Sequence, residues 1–159
     1  MSIKRDTYLG QLTPNCADKE VCVAGWVNAR RDLGGMVFVE LRDNSGKLQL
    51  VSDPNRNKEI HDTFVKLRSE CVLIVKGKLS RRPEGTEKPE QPNGLLELYP
   101  DQAEILNMAG PIPFQIDLGR QVDEALRLKY RYLDLRRKDM QNNLMLRHRV
   151  TTAIRSYLV

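Results

Sequence analysis

Phe38, Gln49, Glu97, Arg30 and Arg31 are the residues whose types and spacing could do chemistry on a ligand. Phe38 lies in "GMVFVELRD", where it and Glu40 alternate with Val37, Val39 and Leu41. Alternation along a strand sends the three aliphatics to one face and Phe38 to the other. If the aliphatics enter a core, the ring is left outside as a flat surface for stacking. Gln49 stands between Leu48 and Leu50, and Glu97 between Leu96 and Leu98, so the same rule points both outward. The first offers an amide donor and acceptor. The second offers a carboxylate that could accept from the amino group of cytosine or guanine. Arg30 and Arg31 enter the hairpin that carries Phe38 and could hold phosphates. Together these are the parts by which splayed bases of a single-stranded RNA loop are read: a ring to stack on, polar groups for base edges, cations for the backbone.

Each residue alone has a plainer reading. Phe38 could cap a secondary apolar cluster, because isolated exposed apolar side chains are common. Gln49 and Glu97 could be ordinary solvated strand residues, and the arginines a basic edge that blocks strand addition. Only the combination on one face favours ligand binding. Catalysis finds no support, since no pair of titratable groups has catalytic spacing. His61 and His148 lie far apart with no acidic pair beside them. Cys16, Cys22 and Cys71 are odd in number and form no C-x-x-C pair, which argues against a disulfide framework and a metal site.

The elements that must position these side chains can be read from period and punctuation. From about residue 20 to 53, "EVCVAGWVNARRD", "GMVFVELRD" and "KLQLVSD" alternate as strands, joined by the glycine-bearing links "DLGG" and "DNSG". Residues 53–70 change to helical period, with Ile60, Phe64 and Leu67 on one face after an Asp-Pro start. "CVLIVKGKLSRR" and "GLLELYPDQAEILN" return to strand on either side of the polar link "PEGTEKPEQPN". Three strands, a helix and two strands is the order of an OB-fold, the five-stranded all-β barrel whose outer face binds oligonucleotides. Gly25 and Gly77 fall inside strands where a barrel needs bends or bulges. OB-folds also bind sugars and proteins, so the fold alone leaves function open.

The expected organisation is an OB-fold domain over residues 1–108, an ordered hinge over 109–123 and a helical appendage over 124–159. The hinge "MAGPIPFQIDLGRQVDE" is punctuated by proline and glycine yet too apolar for a floppy linker. The appendage places Leu126, Tyr130 and Leu133 on one face, and Leu144, Val150, Ile154 and Leu158 on a later one. A stripe with nothing after it to cover it points to a chain cut short inside the last helix.

A chain of 159 residues suits one compact domain with its own core plus such an appendage. The net charge of +5, with 30% charged residues, suits a polyanion partner without demanding one. No apolar run approaches the length of a membrane span, and "MSIKRDTYLG" lacks the apolar stretch of a signal peptide. The expected location is the cytoplasm, with no membrane partner.

"GWVNARRDLGGMVFVELRDNSGKLQLVSDP", followed at a distance by "EALRLKYRYLDLRR", resembles the N-terminal region of the bacterial aspartyl-tRNA synthetases, a family of class II aminoacyl-tRNA synthetases. The resemblance runs over nearly the whole chain. It implies that the barrel binds the anticodon loop of the aspartate tRNA, with no DNA partner expected. Phe38 matches the family aromatic that stacks on an anticodon base, Gln49 the amide at a base edge, and Glu97 the carboxylate near the anticodon. Arg31 matches a basic hairpin position, while Ala29 stands where some members carry a further arginine. Leu33 and "EGT" at residues 84–86, centred on Gly85, match positions that influence whether asparagine tRNA is also accepted. "NNLMLRHRVTTAIRSYLV" resembles the helix that begins motif 1, the dimer-forming element, so residues 124–159 would start the class II catalytic domain. ATP, magnesium and the homodimer belong by this resemblance to the full-length parent. By the same resemblance these 159 residues would bind tRNA and carry no catalytic residues. A general single-strand-binding OB module is the competing expectation, and a protein-interaction domain centred on Phe38 a second one.

Overall fold

Five strands, β1 (Glu20–Leu33), β2 (Met36–Arg42), β3 (Lys47–Ser52), β4 (Val72–Arg81) and β5 (Leu96–Asn107), close in the order β1-β2-β3-β5-β4 in the computed structural model. The model describes residues 3–91 and 93–159, without the side chains of 118–120. Helix α1 (Lys58–Val65) lies between β3 and β4, as the five-stranded OB-fold requires. All pairings are antiparallel except β3 with β5.

The alternation in the sequence becomes an inside and an outside. Val37, Val39, Leu41, Leu48, Leu50, Leu73, Val75, Leu79, Leu96 and Leu98 fill the barrel and are essentially inaccessible. Val21, Val23 and Val27 do the same for β1, whose first half pairs with β4 and second half with β2. A long strand shared by two neighbours must coil sharply, and Gly25 and Gly77 allow it. A Cβ on Gly77 would stand 2.1 Å from the Tyr99 carbonyl oxygen, and one on Gly25 would stand 2.4 Å from that of Arg42. The β1–β2 turn uses Gly34 (φ 61°) and Gly35 (φ 80°), both left-handed, as a two-residue turn demands.

The helix is shorter than the periodicity of residues 53–70 suggests. Asp53 shapes a turn by accepting from the backbone N–H of Asn55 and, through its carbonyl, from Arg56 and Asn57. Asn57 is the residue that caps α1, its side chain accepting from the Ile60 N–H at 3.1 Å. Ile60, Phe64 and Leu67 seal one end of the barrel. Residues 3–19, for which the sequence suggests no element, contribute Leu9 and Leu12 to the same core. Asp43 accepts from the N–H of Leu9 at 2.8 Å, and Asn93 donates to the Leu9 carbonyl at 2.7 Å.

The chain divides into two compact units, Met1–Gly110 and Pro111–Val159. In the second unit Phe114 and Ile116, from the stretch expected to be a hinge, are buried with Leu133, and Val122, Leu126 and Tyr130 pack around them. That part of the stretch is core of the helical unit. The helical reading of residues 124–159 resolves into α2 (Glu124–Lys129), α3 (Arg131–Asp134) and α4 (Lys138–Leu158), interrupted at Tyr130, whose φ of −110° and ψ of 47° leave the helical region. Leu144, Val150, Ile154 and Leu158 on α4 are all about half exposed or more.

Candidate nucleic-acid interface

The outer wall of the barrel is laid out in rows by strand register. Arg31 of β1 pairs with Phe38 of β2, which pairs with Val51 of β3. The neighbouring row runs Ala29, Glu40, Gln49, Glu97 and Ser80, crossing the barrel from β1 to β4. Direct partners across a ladder share a face. Phe38 and Gln49 are therefore diagonal neighbours on one face, with Arg31 beside the ring. Phe38 is half-buried, and Arg31 is exposed.

The two arginines expected to act together are separated. Adjacent residues of a strand point to opposite faces, and a bulge between Val27 and Ala29 decides which one faces out. Asn28 is the extra residue, so Arg31 shares the face of Phe38, while Arg30 pairs with Val39 on the other side. The Arg30 guanidinium donates to the Val65 carbonyl at the C-terminal end of α1. A cation there meets unsatisfied carbonyls and the negative end of the helix dipole. Arg30 thus holds the helix rather than standing beside Phe38.

Glu97 departs from the solvated strand residue that was one expectation, for it is only 3% exposed. Its carboxylate lies on the outer wall but under a cover of polar side chains. The Tyr99 hydroxyl donates to Oε1 at 2.7 Å, and the Gln49 amide donates to Oε2 at 3.1 Å. On its other side Gln49 Oε1 accepts from Arg31 Nη2 at 3.5 Å. Tyr99, Glu97, Gln49 and Arg31, four side chains, form a hydrogen-bonded chain. Burial, and then the hydrogen bond to Glu97, push the Tyr99 hydroxyl up to about 12, so it stays a donor at any physiological pH. Arg56, from the turn after β3, stands 5.2 Å over the Tyr99 ring and pairs with Asp101 at 3.2 Å.

Arg82, at the end of β4, is a further cation of this region. It is 9% exposed and donates to the Leu96 carbonyl at 3.2 Å and toward that of Thr86 at 3.5 Å. Burial pulls its guanidinium below the ordinary value, against the attraction of Glu97. Through Thr86 it steadies the turn holding Gly85, whose φ of +82° only glycine adopts readily. Leu33 is 59% exposed at the tip of the β1–β2 hairpin.

Sequence reasoning missed Tyr99, Arg82 and Arg56. Tyr99 was within reach, because it lies two residues after Glu97 and so shares its face. Arg82 and Arg56 sit where strands give way to turns, and no periodicity marks them. Cys16, Cys22 and Cys71 are free thiols.

A barrel of OB topology with a ring, an oriented amide and cations on its outer wall has the parts of a nucleic-acid reader, and family comparison agrees. Residues 21–106 match the family described as "OB-fold nucleic acid binding domain". The chain belongs to that family. Residues 123–159 match a second family, "tRNA synthetases class II (D, K and N)". Among curated relatives, the Aspartate–tRNA(Asp/Asn) ligase of Thermodesulfovibrio yellowstonii is 49% identical over 154 residues, covering 97% of this chain and 26% of the relative. That of Moorella thermoacetica is 50% identical over 156 residues, covering 98% and 26%. The chain thus spans about a quarter of the length of the curated relatives it matches, at their N-terminal end. Among solved structures, the asparaginyl-tRNA synthetase of Pyrococcus horikoshii superposes with a TM-score of 0.82 at 25% identity, covering 99% of this chain and 36% of the other.

Proposed function

We propose that the barrel is the anticodon reader of an aspartate–tRNA ligase and that its outer wall binds the anticodon loop of the aspartate tRNA. The observation that carries this reading is the placing of Phe38, Arg31 and Gln49 on one face, with Gln49 tied into the wall by Glu97. Stacking on Phe38 would supply affinity, Arg31 would meet backbone phosphate or a base edge, and Gln49 would meet a base edge. The relatives' names supply the tRNA, and the net charge of +5 suits it. Leu33 and the turn at Gly85 would border the loop and influence whether asparagine tRNA is accepted as well.

The chemistry would lie elsewhere in the parent protein, which would use ATP and magnesium to activate aspartate before transfer to the tRNA. These 159 residues would contribute recognition and no aminoacylation of their own. The half-exposed apolar stripe of α4 would serve the parent's homodimer, and the protein would work in the cytoplasm. No helix among the described residues is long and apolar enough to cross a membrane.

The test is the affinity of this chain, at one fixed salt, for an RNA hairpin bearing the aspartate anticodon and for the same hairpin with its middle uracil replaced. A loss of about tenfold or more, equal to some 1.4 kcal/mol, is expected for a reader of bases. Equal binding would leave only backbone charge and favour a general single-strand module.

A further inference from the structure

The positive charge of this chain is not spread evenly. Residues 1–110 hold sixteen lysines and arginines against sixteen acids, and residues 111–159 hold ten against five. The barrel unit is therefore neutral, and the whole net charge of +5 belongs to the helical unit. In the barrel unit cations are matched across the surface: Arg42 with Glu70, Arg56 with Asp101, Lys76 with Glu20 and Lys78 with Asp18. In the helical unit Asp134 and Asp139 take up Arg127, Arg131 and Arg137, all of them ahead of α4. The cations of α4 itself are left over.

Residues 140–159 contain Arg147, Arg149 and Arg155 and no acid. All three arginines are exposed, and none has an acidic partner among the described residues. On a helix of about 3.6 residues per turn, steps of four residues keep side chains in one row. Arg147, Thr151 and Arg155 make such a row on α4, with the two arginines about 12 Å apart along the axis. Two guanidiniums with a hydroxyl between them are donors suited to phosphate oxygens, and such contacts carry no base readout. A second copy of the helix would be a poor occupant for this row. Two-fold pairing sets a surface against itself, and this one has cations with no acid to meet them.

We propose that Arg147, Thr151 and Arg155 form a second RNA contact, one that grips phosphate backbone and reads no bases. It supplies from the helical unit the electrostatic attraction that the neutral barrel lacks. The inference rests on the chain being an RNA binder, and not on which base the barrel reads.

The experiment measures affinity against salt for three RNAs: the aspartate anticodon hairpin, the same hairpin with its middle uracil replaced, and a blunt duplex with no loop. The original chain is compared with two double variants. Arg147→Gln with Arg155→Gln removes two charges from the row, and glutamine keeps a good helix propensity. Lys19→Gln with Lys58→Gln removes two exposed charges from the barrel unit. Far-UV circular dichroism checks that both fold. The arginine pair should lower the slope of log affinity against log salt by about two and weaken duplex binding about tenfold at low salt, while the lysine pair moves the slope by less than about half a unit. The preference between the two hairpins should be the same in all three proteins. Equal slope changes in the two variants would mean that net charge acts from anywhere on the chain, which overturns the contact. So would an unchanged slope in the arginine variant. A monomer–dimer equilibrium shifted by the arginine pair in sedimentation, with the slope unmoved, would assign the row to a second copy and overturn the inference as well. An original chain that binds both hairpins equally but keeps the arginine-dependent slope would sink base reading by the barrel and leave this contact standing.

Discussion

Asp134 and Glu97 are the most deeply buried carboxylates among the described residues, and they are held in opposite ways. Asp134 in the helical unit is inaccessible and is clasped by Arg137 at 2.8 Å and Arg131 at 2.5 Å, with Arg127 at 3.7 Å. Glu97 in the barrel is held by a phenol and an amide, both neutral. The first is charge against charge, with Arg131 and Arg137 each three residues from the aspartate. The second orders its neighbours through hydrogen bonds from neutral donors. A buried carboxylate wrapped in arginines is an internal tie, whereas one wrapped in neutral donors still polarises what touches it. "RYLDLRR" is thus a structural clasp in which the aspartate joins α3 to the start of α4, and the acid of "LEL" lies on the outer wall of the barrel.

The largest expected effect breaks the clasp. Asp134→Ala leaves arginines facing one another and should destabilise the helical unit by about 3 kcal/mol, less whatever share the half-exposed Arg131 loses to solvent screening. Urea unfolding followed by circular dichroism measures it, and RNA affinity should change little. A fall in affinity as large as the fall in stability would mean that structure and recognition are not divided between the two units.

The ligand face is tested next. Phe38→Ala should weaken binding of the aspartate anticodon hairpin by roughly 1–3 kcal/mol, the usual worth of one stacked base, because the ring is half-buried on the outer wall. Unchanged affinity in a filter-binding or fluorescence titration would sink the stacking assignment.

The smallest effect separates the two arginines. Arg30→Ala should cost about 0.5–1 kcal/mol of stability, as a cation lost from a helix C-terminus. Arg31→Ala should leave stability near its original value and lower the slope of log affinity against log salt by about one. Identical salt slopes for the two variants would show that the bulge in β1 does not sort them into different roles.

Much of this was legible without coordinates because it is local. Period-two alternation gave the inside and outside of β2, β3 and β5, down to Val37, Leu50 and Leu98 facing in and Phe38 and Gln49 facing out. The glycines of "DLGG" announced the hairpin, since its turn needs two left-handed residues. The element order was enough for the barrel, and Ile60, Phe64 and Leu67 for the helix face that caps it. The start of α1 was misplaced by four residues' worth of turn because Asp53 and Asn57 are both good caps, and only packing chooses between them.

The sequence by itself determined which side chains alternate, where the chain must turn and that a strongly patterned barrel would form, because these depend on steric and hydrophobic rules acting over a few residues. Only the tertiary structure decided that Arg31 and not Arg30 stands beside Phe38, since one bulged residue at Asn28 inverts the faces of everything after it. It alone decided that Glu97 lies covered and engaged on both oxygens. Tyr99 comes from the same strand by local alternation, but Gln49 arrives from β3 through ladder register, a long-range choice that no local pattern encodes.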